Sequence, residues 1–295
     1  MRIGITGVTG LIGSSLATLC QSRGHYVTGF SRSSHKSLPH CHHLRQFSLK
    51  QPVTLSGLDA IVHLAGEPII GLWTDEKRRL IVSSRRDTTR HLVGSLSNTR
   101  QGPSIFLCAS GTGFYGDRGA EKLDENSGHG HGFLSEVAQV WEEEAQAATA
   151  HGVRTCQLRT GMVLAKSGGA FPLLRRIFGV GLGGKIGSGQ QYLPWIHLAD
   201  AVGLYLHALE NSLLSGPINT VAPEECTNLA FTQTLGAAIH RPTFFPAPAI
   251  LLKTALGDLS HIVLDSQRTT PGKALETGFN FQYPTLKSAF AELVG

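Results

Sequence analysis

Gly7-Val8-Thr9-Gly10-Leu11-Ile12-Gly13 is a run whose residue types and spacing suit the binding of a diphosphate. Its glycines let the backbone turn tightly and approach phosphate oxygens. A helix starting inside the run would aim unpaired N–H groups and a positive dipole end at them. The candidate contacts are Gly7, Thr9, Gly10, Leu11, Ile12 and Gly13. Farther on, Ser31-Arg32-Ser33-Ser34, with Lys36 close behind, stands where a site for NAD would place an Asp or Glu for the ribose 2′-hydroxyl, and it holds no carboxylate. Arg32, helped by Ser31 and Ser33, can pair with a 2′-phosphate instead. One charge-assisted contact of about 2 kcal/mol is worth roughly thirtyfold, so NADP(H) is the expected cofactor.

Glycine is common here, 35 of 295 residues, so the run needs the right elements around it. It has them. Residues 1–6 read as a short apolar strand, Leu16, Ala17, Leu19 and Cys20 lie at helical spacing, Gly24 suits a helix stop, and residues 26–30 read as a second strand. Further strands are expected at 59–64, 105–110 and 153–159, each ending in small residues, with helices around 74–96 and 134–150. Apolar strands alternating with helices specify an α/β fold, a Rossmann-type doubly wound parallel sheet whose ligands bind at the carboxyl ends of the strands. Leu64, Ala65, Gly66 and Ser110 fall on that edge.

From about residue 165 the texture changes. Residues 179–189 read as a long glycine-rich flexible loop, and Pro242, Pro246 and Pro248 mark an irregular stretch. The expected division is a dinucleotide-binding domain over 1–165, to which 196–221 returns as a helix and a strand, and a smaller interleaved substrate lobe formed by 166–195 and 222–295.

Lys and Arg number 26 against 21 Asp and Glu, a net charge of +5 that is modest for a nucleic-acid binder. Lys77, Arg78, Arg79, Arg85, Arg86 and Arg90 spread around more than one helix face and read as a solvated surface. Nucleic acid is not an expected partner; a small molecule is. The five cysteines are scattered without a CxxC, which suits a reducing cytoplasm, and no leader or membrane-length apolar run is read. The tracts His40-Cys41-His42-His43 and His129-Gly130-His131 lack the paired spacing of a zinc site and read as exposed loop histidines.

The chain resembles the extended short-chain dehydrogenases/reductases in Thr6 to Gly13, His63-Leu64-Ala65-Gly66, Phe114-Tyr115-Gly116 and Trp195-Ile196-His197-Leu198-Ala199-Asp200. It is more closely similar to their atypical branch of epimerase-family proteins with a C-terminal domain of unknown function. Leu64 to Ile69, Tyr115 to Gly119, Leu158 to Gly161, Gly187-Ser188-Gly189-Gln190, Pro194 to His197, and tail segments around Ser266 and Tyr283 carry that likeness over nearly the whole chain. The resemblance implies NADP(H) and hydride transfer. In the wider family a Tyr, with a Lys four residues later, exchanges the proton that accompanies the hydride. The matching helix here carries Phe133 and Val137 instead.

Three residues are candidates for the missing chemistry. Ser110 either hydrogen-bonds a substrate oxygen or caps its strand, Tyr115 supplies a replacement proton or is structural, and Glu67 faces the cofactor or caps the next helix. Trp195, His197 and Gln190 are candidate substrate contacts, with core packing the alternative for Trp195. Two functions fit: an oxidoreductase or epimerase-like enzyme acting on a small polar, sugar-like substrate, or a non-catalytic NADP(H)-binding sensor. The oligomeric state is not legible.

Overall fold

The computed structural model describes residues 1–32, 37–96 and 101–295. In chain order the first half runs β1 (Arg2–Thr6), α1 (Leu11–Ser22), β2 (Tyr26–Ser31), β3 (His43–Gln46), β4 (Ala60–His63), α2 (Asp75–Leu96), β5 (Ile105–Gly111), β6 (Lys122–Leu123) and α3 (Phe133–Gln146). There follow β7 (Arg154–Thr160), β8 (Met162–Leu164), α4 (Phe171–Gly179), β9 (Trp195–His197), α5 (Leu198–Glu210) and β10 (Gly216–Thr220). The tail adds α6 (Asn228–Ala238), α7 (Ala249–Leu256), α8 (His261–Leu264), β11 (Arg268–Thr269), α9 (Gly272–Glu276) and α10 (Leu286–Val294).

Seven strands form one parallel sheet in the order β10-β7-β5-β4-β1-β2-β3, the doubly wound arrangement expected from the alternation. The order reverses between β1 and β4, which leaves a crevice at their carboxyl ends. Both faces are covered. Leu16, Ala17 and Cys20 of α1 and Val202, Tyr205 and Leu206 of α5 pack on one; Leu92 and Val93 of α2 and Trp141 and Ala145 of α3 pack on the other. The sheet therefore buries hydrocarbon on two sides, and β1, β2 and β4 are almost wholly inaccessible to water.

The edge strand β3 is not legible in the sequence, where His40 to His43 reads as loop. His43 begins this strand opposite Thr28 of β2, and His40 Nε2 lies 3.0 Å from the Val8 carbonyl oxygen. A four-residue polar edge strand has too few apolar positions to show alternation; the exposed ladder of β2 places it.

A separate core lies in the C-terminal lobe, where α4, α6 and α10 enclose Phe171, Phe178, Trp195, Phe231 and Phe290. The 179–189 segment, expected to be a flexible loop, is tied by backbone hydrogen bonds to residues 245–247, among them Ala247 N to Lys185 O at 2.9 Å. The tail is tied back to α5 as well: the buried Asp200 carboxylate accepts from Gln282 N (2.7 Å) and Tyr283 N (2.9 Å).

Candidate functional site

The turn after β1 is shaped by backbone approach. Gly7 has φ +66, and a Cβ there would lie 2.8 Å from the carbonyl carbon of Leu64; a Cβ on Gly13 would lie 2.2 Å from the Gly7 carbonyl oxygen. Only glycine fits either place. The helix α1 then starts at Leu11 with no side-chain cap on Gly10 and no acid in its first turn. Its leading N–H groups are thus available to an anion, and a diphosphate fits this cradle.

A buried histidine welds that turn to the one after β4. Thr6 Oγ1 accepts hydrogen bonds from Leu64 N (3.1 Å) and Ala65 N (3.2 Å) and lies 2.7 Å from His63 Nδ1, to which it donates. The ring is then the neutral Nε2–H tautomer, with Nε2 3.2 Å from Thr88 Oγ1. Burial, reinforced by the Arg85 charge, holds its pKa down to about 3, so it stays neutral. Leu64 and Ala65 are thereby fixed beside the glycines, and Gly66 follows them against the Arg85 guanidinium. At the other end of the crevice Ser31 closes β2, and Arg32 is exposed just beyond it. Ser33 lies outside the described residues.

Ser110 sits near the end of β5, opposite Arg159 in the register with β7. Its hydroxyl donates to Glu142 Oε1 of α3 at 2.6 Å. Arg159 grips the same carboxylate with two bonds, Nε to Oε1 and Nη2 to Oε2, both 2.8 Å, and both side chains are nearly buried. The Arg159 guanidinium also lies 3.5 Å over the Phe114 ring. Sequence reasoning missed Glu142 and Arg159. The register of two strands and the placement of α3 across them unite the group.

The other candidates lie elsewhere. Tyr115 is fully buried; its hydroxyl accepts from Arg159 Nη1 at 3.0 Å and lies 2.7 Å from Asn219 Oδ1 and 2.9 Å from Asp124 O. Burial pushes this phenol up to about 12, and its network braces Arg159 without lining the cleft described below. Glu67 pairs with Lys77 at 2.6 Å. Trp195 is packed in the core of the C-terminal lobe. His197 caps α5, accepting from Ala199 N at 3.2 Å, and its ring packs on Tyr283 at a centroid distance of 3.9 Å. Gln190 is exposed on its loop and does not line the cleft.

In the basic cluster of α2, Arg79 and Arg90 are exposed and Lys77, Arg78 and Arg86 part-exposed, as the sequence reads; Arg85 is the exception. Arg85 is buried, donating to Glu67 O (3.0 Å) and Ile81 O (3.1 Å) with its guanidinium 4.7 Å over Trp141. Lys77, Arg78, Arg86 and Arg90 pair with acids, Arg78 with Asp258 and Arg90 with Glu144 among them.

A cleft of about 510 Å³ opens from Ser110 and Thr160 at the strand ends toward the C-terminal lobe. Val137 lines it. Phe133, at the start of α3, packs instead on Trp73 at a centroid distance of 5.0 Å. Among the described residues, no helix is long and apolar enough to cross a membrane.

A doubly wound sheet with a glycine cradle at its switch point and a second lobe over the strand ends defines a dinucleotide-binding protein of the extended short-chain dehydrogenase/reductase class. The chain belongs to the NAD-dependent epimerase/dehydratase family, which it matches over residues 3–221, and residues 247–293 match a domain of unknown function, DUF1731. It is 34% identical to the epimerase family protein YfhF of Bacillus subtilis, over 100% of this chain and 98% of that one. It is 35% identical to the human epimerase family protein SDR39U1, with both chains covered in full. A crystal structure of human SDR39U1 (isoform 2) with NADPH superposes with a TM-score of 0.88 at 33% identity, covering 99% of each chain.

Proposed function

We propose that this chain is an NADP(H)-dependent oxidoreductase or epimerase-like enzyme in which Ser110 and Glu142 handle the proton. The Ser110 to Glu142 hydrogen bond at 2.6 Å, at the strand-end side of the cleft, carries the reading. NADP(H) is supported by the cradle's fit to a diphosphate, by Arg32 at the end of β2, and by the NADPH found with the human relative. Gly10 to Gly13 would hold the diphosphate and Arg32 the 2′-phosphate, and the bound cofactor would accept or return a hydride at the reacting carbon.

Ser110 Oγ, having given its hydrogen to Glu142, presents a lone pair to a substrate hydroxyl. As the C–H electron pair leaves carbon with its hydrogen and the C=O π bond forms, the substrate O–H proton passes to Ser110 Oγ and the Ser110 proton to Glu142 Oε1. The reverse transfer reduces the carbonyl. Arg159 holds the carboxylate in register, and Tyr115 holds Arg159, so Tyr115 is a positioning residue.

In a screen for NADPH oxidation with carbonyl compounds, Ser110→Ala and Glu142→Gln should each lower turnover by about a hundredfold to ten-thousandfold with NADPH affinity unchanged. Tyr115→Phe should instead cost about 1–3 kcal/mol of stability, read by denaturant unfolding, and leave the pH profile of turnover in place. Fast turnover unaffected by Ser110→Ala refutes the relay. Tight NADPH binding without turnover across the screen favours the sensor reading, for which Phe133 and Val137 at the dyad positions speak.

A further inference from the structure

The cleft beside Ser110 is walled largely by hydrocarbon. Val137 and Trp141 of α3, Met162 of β8, Phe178 of α4, Phe231 of α6 and Ile262 of α8 all face it. Its volume is that of a site for one small ligand. Among the described lining residues Arg85 is the one arginine and no lysine contributes, and Arg85 is already committed to two backbone carbonyls and the Trp141 ring. His261 lies 2.7 Å from the Asp265 carboxylate, which also lines the cleft. A nucleotide-linked sugar would bring a doubly charged diphosphate into apolar surroundings that offer no unspent arginine or lysine and already hold a carboxylate. Desolvating it there is costly.

The apolar lining continues outward. Ile70 is 70% exposed at the cleft, while Val180, Leu182, Phe244 and Phe245 are 59–82% exposed on two neighbouring segments joined by the Phe245 N to Gly183 O bond. An exposed apolar rim leading to an apolar cleft suits a ligand whose length is hydrocarbon.

We propose that the substrate is a lipophilic ketone, or the matching secondary alcohol, whose oxygen meets Ser110 while its chain or rings fill this cleft. This replaces the small polar, sugar-like substrate expected from the sequence, and it rests on the Ser110 reading only for which end reacts.

The test is calorimetric titration of the NADPH-loaded protein with the 2-alkanones from 2-hexanone to 2-decanone and with UDP-glucose, with NADPH absorbance followed in parallel. Affinity should rise about fourfold per methylene, and UDP-glucose should bind more weakly than 2-decanone. Ile70→Glu and Ile262→Glu, at partly exposed lining positions that tolerate a polar residue, should each weaken 2-decanone by roughly tenfold. A flat series, tighter binding of UDP-glucose, or a 2-decanone affinity that both variants leave unchanged overturns the proposal. Ketones that bind with the expected slope and sensitivity yet are never reduced uphold the ligand class of the cleft and refute the hydride-transfer reading, because binding is read as heat and turnover as absorbance.

Discussion

The cradle after β1 and the cleft beside α3 lie at the same edge of one sheet, yet they are built of different material. The cradle is backbone: glycines at 7 and 13 that admit no Cβ, amides of Leu64 and Ala65 held by Thr6, and the bare first turn of α1. The cleft is side chain, assembled from α3, β8, α4, α6 and α8, segments that span half the length of the chain. A backbone site keeps its geometry and polarity through many side-chain changes. A side-chain site changes its chemistry with each one. The same dinucleotide frame can therefore serve different substrates, and the Ser110, Glu142 and Arg159 group stands at the junction of the two.

The sharpest way to break this comparison is to put a side chain where the cradle has none. Gly7→Val, at φ +66 and against the Leu64 backbone, should weaken NADPH by roughly a hundredfold or more in a fluorescence titration, with circular dichroism confirming the fold. Retained affinity would show that the diphosphate site is not made by this turn. A smaller effect is expected at Arg32, a cofactor contact that depends on its side chain. Arg32→Asp should reduce the preference for NADPH over NADH by roughly thirtyfold, and an unchanged ratio would move 2′-phosphate recognition to another residue.

A third test distinguishes the two regions by pH. His63 titrates near 3 in the folded chain against 6.5 ordinarily, so between those values the unfolded chain binds the extra proton. Its contribution is fully present above about 6.5 and is lost progressively as pH falls toward 3, at up to about 1.4 kcal/mol per pH unit. His63→Asn should make the acid limb of the stability curve shallower by that amount, measured by urea unfolding from about pH 6 to about pH 4. Ile70→Glu in the cleft should leave the His63 contribution intact. Equal slopes in wild type and His63→Asn would mean that the weld between the two turns does not depend on a neutral ring.

What was legible in the sequence is what depends on near neighbours. Apolar periodicity marks β1, α1, β2 and β4 because each buries a face that its own residues define, and glycine spacing marks the cradle because positive φ and close approach are demands of the backbone itself. The family follows from those short motifs. The short strand β3 was hidden because its partner decides it. Glu142 was hidden for a related reason: it is the first of three consecutive glutamates, and only the packing of α3 over β5 and β7 gives this one to Ser110 and Arg159 while Glu144 meets Arg90.

Tyr115 and Arg85 teach the converse. Their types advertise chemistry, but the fold buries the phenol against Asn219 and the guanidinium against Trp141. Sequence sufficed for the inner strands of the sheet, the cradle and the fit to a dinucleotide, since these rest on local conformational limits. Only the packed molecule decided which serine, carboxylate and arginine meet, and that the cleft beside them is largely apolar. Those are sums over side chains that come together only when distant segments pack.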